Sequence, residues 1–204
     1  MEEPRSPEAQ ADEDDALRVV LGLGNPGERY ADTRHNVGFM VLDELARRLG
    51  TALAEEECNA LVGEAVFADR RVLLAAPQTY MNRSGYTARC LTERRGVVPA
   101  NVLVVYDEIH LALGRRRLRR GGSPAGHRGM ESVIENLGTR EIPRLRLGVA
   151  PEDGPPAPEA WPDYVLAPFA AGEREALAAM IERAADACEI WLREGVDAAM
   201  RLNG

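Results

Sequence analysis

Apolar positions along this chain recur in two rhythms. Arg18-Val-Val-Leu-Gly-Leu23 is a short, nearly continuous apolar run that breaks at glycine, which predicts a buried strand ending in a loop. Leu42, Leu45, Ala46 and Leu49 follow at helical spacing, with Gly50 placed to stop the helix. Leu61 to Ala68 and Val72 to Ala76 fit two strands joined at the turn-like Asp69-Arg-Arg. Ser84 to Arg95 fits a helix, Asn101 to Tyr106 a buried strand, Gly126 to Leu137 a helix closed by Gly138, and Leu145 to Ala150 another strand. Pro151 to Pro162 is proline-rich and predicts a surface loop. The last helix is the clearest, with Leu177, Met180, Ile181, Ala184, Cys188, Trp191 and Leu192 on one face.

Strands separated by helices predict an α/β domain. The hairpin at 61–76 makes its central sheet mixed, so the expected architecture is one domain, residues 17–204, with a twisted mixed sheet flanked by helices. Residues 1–16 show no periodicity and hold seven acids and one Arg. They read as a disordered, solvated acidic tail.

The tail changes the meaning of the net charge. The chain carries −8 overall, but the part after residue 16 holds 26 acids and 24 Arg, close to balance. Net acidity therefore does not exclude a nucleic-acid partner. No apolar run approaches the roughly 18 residues of a membrane span, and the acidic N-terminus is not a secretory signal. A cytoplasmic protein is expected. Cys58, Cys90 and Cys188 are far apart and odd in number, so they predict reduced, partly buried thiols rather than a disulfide framework or zinc site.

Gly22-Leu-Gly-Asn-Pro-Gly27 follows a strand and matches the Gly-x-Gly-x-x-Gly pattern of dinucleotide sites. Pro26 removes a phosphate-binding N–H. The following residues open no amphipathic helix, and no acid closes a second strand about 20 residues on. A tight turn needing glycines explains the loop, and no nicotinamide or flavin cofactor is expected.

More specific chemistry follows. The glycine loop, Tyr30 and Thr33-Arg-His-Asn-Val-Gly-Phe39 together resemble the N-terminal signature of bacterial peptidyl-tRNA hydrolases. Pro77-Gln-Thr-Tyr-Met-Asn82, Tyr106-Asp-Glu-Ile109, Gly122-Ser-Pro-Ala-Gly-His-Arg-Gly129, Pro143-Arg-Leu-Arg-Leu-Gly148 and Asp163-Tyr-Val-Leu-Ala-Pro-Phe169 resemble that family's further motifs, in family order over about residues 18–200.

The resemblance implies a cofactor-free and metal-free esterase. It would cleave the bond between a peptide and the 3′-terminal ribose of tRNA and so recycle tRNA from abandoned translation. His35 matches the general base and Asp107 the acid that orients it. Asn25 and Asn82 match residues that hold the peptide and the reacting ester, with Asn25 also counted as catalytic. Tyr30 and Tyr80 match positions lining the tRNA 3′-end site, and Met81 an apolar wall beside it. His127 and Arg128 fall in the fourth motif, on the substrate side. Arg119 and Arg146 match two basic residues that clamp a tRNA 5′-phosphate. Within the run Arg115, Arg116, Arg117, Arg119, Arg120, the residues 115, 117 and 119 would share one face of a strand. The implied partner is peptidyl-tRNA, through its acceptor stem and 3′ end, bound by a monomer.

The chain departs from the family pattern at a few positions. Arg128 stands where Asn is common, His110 where a second Asp is common, Ala112 for a common Pro, and Ala76 for a common basic residue. Arg128 motivates an alternative: an RNA-binding paralogue of the same fold with weakened catalysis.

Overall fold

The computed structural model describes residues 16–202. Residues 1–15, and with them the expected acidic tail, lie outside the described residues. Seven strands form one sheet: β1 (Arg18–Gly22), β2 (Glu55–Glu57), β3 (Ala60–Phe67), β4 (Arg70–Pro77), β5 (Val102–Ala112), β6 (Arg116–Arg119) and β7 (Arg144–Ala150). Their spatial order is β2-β3-β4-β1-β5-β7-β6. β1 runs parallel to β4 and β5, and β5 parallel to β7. β3 is antiparallel to β2 and β4, and β6 to β7. The sheet is mixed, as the hairpin predicts.

Helices α1 (Val37–Leu49), α2 (Ser84–Arg95), α3 (Arg128–Leu137), α4 (Trp161–Val165), α5 (Arg174–Glu194) and α6 (Val196–Leu202) cover the sheet. Central strands are apolar on both faces because both faces are covered. Val20, Leu74 and Val105 join one core with Leu42 and Leu45 of α1 and Ala184 and Trp191 of α5. Val19, Leu73 and Val104 join the other with Leu91 of α2 and Val133 of α3. Gly50 ends α1 at φ 67°, a left-handed conformation that glycine adopts without strain. The glycine loop is a packing device. A Cβ on Gly22 would sit 2.5 Å from the carbonyl of Gly38, so the paired glycines let α1 start hard against β1.

Three expectations need correction. β5 does not stop at Tyr106 but runs to Ala112, with a register shift beyond Glu108. Asp107 therefore sits inside a strand, paired across to Leu147, rather than at its end. The 151–162 segment contains a short 3-10 turn at Pro158–Ala160 and leads into α4.

The third correction concerns the thiols. Cys58 and Cys90 are joined in a disulfide with Cα atoms 5.7 Å apart. Their separation of 32 residues hid the contact. Cys58 lies in the tight β2–β3 turn, and its carbonyl accepts a hydrogen bond from Thr87 Oγ1 on α2 at 3.0 Å. That contact holds the turn against the helix that carries Cys90. Cys188 is free and buried among α5 core residues, and burial pushes its thiol up to about 12.

Candidate active site

The parallel strands deliver side chains to one end of the sheet. Beyond β1 comes Asn25, beyond β4 come Tyr80, Met81 and Asn82, and β5 carries Asp107. Clefts outside the carboxyl ends of parallel strands are the usual place for a site in α/β folds. Here the cleft is a cavity of about 520 Å³ whose lining includes Asn25, His35, Tyr80, Met81, Asn82, Asp107, His127 and Arg128.

His35 is the middle residue of a 3-10 turn, Arg34–Asn36, just before α1. Its Nδ1 lies 2.8 Å from Asp107 Oδ1, and its side chain keeps 13% of its surface open. The same Asp107 oxygen lies 2.9 Å from His127 Nε2. His127 caps α3, accepting the Met130 main-chain N–H on its Nδ1 at 3.1 Å. Its proton therefore sits on Nε2 and is donated to Asp107. These three side chains are close enough to suggest a metal triad, but the atoms that would ligate are engaged in hydrogen bonds with one another. With Nδ1–H of His35 also donated to Asp107, the other ring nitrogen, Nε2, is the basic one.

Asp107 is 2% exposed. Burial acts to raise its pKa, but the charges and hydrogen bonds of His35 and His127 overturn that and hold it well below the usual carboxylate range. Burial acts to lower the His35 pKa, but the Asp107 charge and hydrogen bond outweigh it, so His35 lies above the ordinary histidine value.

Asn25 is held from two sides. Its main-chain N–H donates to Asn36 Oδ1 at 2.9 Å, and Asn36 Nδ2 donates back to its carbonyl at 2.8 Å. Its side-chain Oδ1 accepts the Met81 main-chain N–H at 2.8 Å. This bond fixes which way the amide faces, and leaves the Nδ2 hydrogens for the cavity. Met81 is buried beneath that wall and meets Gly129 of α3. Tyr80, at 61% exposure, and Asn82 stand at the mouth. Asn82 lies within the 3-10 turn Met81–Arg83 and does not cap α2. Arg128 is exposed at the first position of α3.

Other expected residues lie off the cavity lining. Tyr30 packs under Arg29, whose guanidinium is 5.4 Å from its ring centre. Arg119 and Arg146 lie on neighbouring strands, β6 and β7. Burial first, and then the charges of Arg117 and Arg146, lower the pKa of Arg119, which marks a concentration of positive charge. Arg146 pairs with Glu108 at 2.8 Å. Arg115 precedes β6, so only Arg117 and Arg119 of the expected face belong to the strand.

The cavity also draws on residues to which sequence reading gave no part in the site. Trp161, Pro162, Val165 and Leu166 form an apolar wall, beside Ile109 and Pro158. A lone Trp in a proline-rich stretch was the available signal. His110 links the two sides: its Nδ1 lies 2.8 Å from Glu108 Oε1, and its ring meets Trp161 edge-on with centroids 5.0 Å apart. No helix among the described residues is long and apolar enough to cross a membrane.

A family model for peptidyl-tRNA hydrolase matches residues 19–203. The chain is 48% identical over 183 residues to the peptidyl-tRNA hydrolase of Moorella thermoacetica, covering 89% of this chain and 95% of that one. It is 46% identical to that of Symbiobacterium thermophilum, covering 90% and 96%. A crystal structure of peptidyl-tRNA hydrolase from Acinetobacter baumannii matches the fold with a TM-score of 0.84 at 30% identity, over 94% of this chain and 95% of that one.

Proposed function

The chain belongs to the peptidyl-tRNA hydrolase family, and from that premise we propose how its cavity hydrolyses the ester joining peptide to tRNA. His35 Nε2 takes a proton from water as the water attacks the ester carbonyl. Asp107 holds the ring through Nδ1–H and stabilises the imidazolium that forms. The amide Nδ2 of Asn25 donates to the oxyanion as charge develops there. Imidazolium then returns its proton to the departing ribose oxygen. The observation that carries this reading is the Asp107–His35 pair beside an Asn25 amide whose donor end is turned to the cavity.

Asn82 and Tyr80 at the mouth would receive the peptide and the tRNA 3′ end. Arg119 and Arg146 would bind an acceptor-stem phosphate through their guanidinium forks. For Arg146 this requires sharing with Glu108, or exchange away from it. Tyr30 would act from outside the cavity, on the approach of the tRNA end. The family resemblance implies action as a monomer. Peptidyl-tRNA arises in translation, which supports a cytoplasmic enzyme. The tail at residues 1–16 would take no part.

The test is peptide release from N-blocked aminoacyl-tRNA, with unblocked aminoacyl-tRNA as control. Replacing His35 by Ala should cost ~10²–10⁴-fold, the usual worth of a general base. Parental activity in that variant would remove His35 from this role. Binding without release by the parent protein would instead favour the RNA-binding paralogue. Replacing Arg119 and Arg146 by Ala should flatten the salt dependence of tRNA binding by roughly 0.7–0.9 per lost phosphate contact; an unchanged slope would place the clamp elsewhere.

A further inference from the structure

A 3-10 helix has three residues per turn, so three consecutive side chains leave it about 120° apart. In the turn Arg34–Asn36 the middle side chain is His35, and both neighbours are buried polar anchors, Arg34 at 7% exposure and Asn36 at 3%. Asn36 faces the Asn25 loop. Arg34 faces the opposite way, into the segment that leads from α4 to α5.

Arg34 is held there through both terminal nitrogens and two aromatic rings, while its buried Nε has no hydrogen-bond partner among the described residues. Its Nη1 donates to the Pro168 carbonyl at 2.7 Å and the Ala167 carbonyl at 3.2 Å, and its Nη2 pairs with Glu173 at 2.7 Å. The guanidinium lies 4.3 Å from the Tyr164 ring centre and 5.2 Å from that of Phe169. Its own main-chain N–H donates to Ala167 O at 3.1 Å, and Phe169 N–H donates to Asp32 O at 3.2 Å. Rotating the turn about its axis would therefore tear a buried cation from its carbonyls, its carboxylate and its aromatic face. Leaving such a charge buried and unpartnered is strongly unfavourable.

We infer that Arg34 is a positioning residue for the reaction: anchored in the segment 164–173, it fixes the rotation of the turn and so aims the His35 ring at Asp107. The inference rests on His35 being the base. It assigns to the residue before His35 a role in catalysis that no contact with substrate provides.

The sign of one measurement separates positioning from simple electrostatics. The titratable groups facing the His35 ring are Asp107 from β5 and His127 from the start of α3. Removing the Arg34 cation, and unpairing Glu173, would by charge alone raise the His35 pKa. Losing the Asp107 contact would lower it.

The experiment compares Arg34→Ala and Arg34→Lys with Arg48→Ala. Arg48 joins α1 to α5 through Glu182, Asp186 and Glu189 and lies off the cavity lining, so its loss is a control for stability alone. In Arg34→Ala the His35 ring, followed by NMR, should titrate lower, toward the ordinary value of about 6.5. Its kcat should fall on the order of 10²-fold, more than KM rises, as misplacement of a reacting group does. Arg34→Lys, which keeps the charge but loses the fork, should fall between, and it carries the test if the Ala variant does not fold. Arg48→Ala should lose stability while keeping both readouts. Arg34 variants that lose stability but keep kcat and the His35 titration would reduce Arg34 to a structural tie and overturn the inference. Parental activity in His35→Ala would instead strike the base assignment, while the ring titration in the Arg34 variants would still report on positioning.

Discussion

The main-chain N–H of Met81 donates to Asn25 Oδ1 at 2.8 Å, and that bond orients an amide that could otherwise flip. It ties the loop after β1 to the loop after β4 and commits the Asn25 nitrogen to the cavity. Asn25→Asp keeps the acceptor for Met81 but puts a carboxylate oxygen where the oxyanion donor stood. We expect kcat to fall ~10²–10³-fold, the loss seen when one oxyanion donor is removed. The Met81 contact survives, but a carboxylate at this 6% exposed position should lower the melting temperature, so kcat is compared at a temperature where both proteins are fully folded. Activity within a few-fold of the parent would show that the oxyanion is held by another group.

The raised pKa of His35 sets the acid limb of the pH profile. The base works only when neutral, so kcat/KM should rise with pH through a midpoint above about 6.5, the ordinary imidazole value. Asp107 is the source of the rise. Asp107→Asn should therefore move the limb to lower pH while lowering the plateau. Stability follows the opposite course. A group whose pKa is raised by folding contributes stability that is complete below its unfolded pKa and is lost as pH climbs through the folded one. The stability of the parent relative to His35→Ala should decline across the same interval in which activity appears. Thermal melts of both proteins between acid and alkaline pH check this, and a difference that grows with pH would contradict the assignment.

How far these features could be read in advance depended on what stabilises each one. Helix α2 has the bounds its sequence predicts, Ser84 to Arg95, and the α5 face from Leu177 to Leu192 is as the periodicity indicates. Both carry their signal locally. Edge strand β2 is Glu-Glu-Glu and edge strand β6 has Leu118 as its one apolar residue. Such strands exist through main-chain pairing to a neighbour, which leaves no apolar pattern to read. Motif matching named His35, Asp107 and Asn25 as one set, and all three line the same cavity. The second hydrogen bond to Asp107, from His127, depends on a histidine capping a helix, which its local sequence did not signal. Arg34 is buried by a segment more than 130 residues away, a tertiary contact that no spacing rule reaches.

The Cys58–Cys90 disulfide gives a separate expectation. It closes a loop of about 30 residues between the β2–β3 turn and α2. Such a cross-link typically contributes ~2–4 kcal/mol by restricting the unfolded chain. Reduction, or Cys58→Ser with Cys90→Ser, should lower stability by that amount. Thiol titration should find no reactive group in the folded oxidised protein, since Cys188 is buried with its pKa pushed up to about 12. It should find one after unfolding and three after reduction. Three thiols in the unfolded, unreduced protein would refute the bond.

Arg128 supports the last prediction, that the enzyme is active and that its activity is unusually sensitive to salt. Its guanidinium is exposed at the cavity mouth and has no ion pair among the described residues. It stands at the first position of α3, where the helix dipole adds positive rather than compensating negative potential. An arginine there can donate to a phosphate, a ribose oxygen or a carbonyl, but it cannot accept, so it is no copy of asparagine. His110, the nearby departure from the family pattern, is engaged with Glu108 and Trp161 and supplies no negative charge to offset it. The tRNA end should therefore be held at this point by charge, and the charge should be felt through released counterions. A single-strand contact of this kind contributes about 0.7 to the slope of log affinity against log salt. The slope for kcat/KM should be steeper in the parent than in Arg128→Asn by about that amount, with the two proteins converging at high salt. Equal slopes would leave Arg128 a bystander. Absence of hydrolysis by the parent even at low salt would move the protein to the RNA-binding alternative.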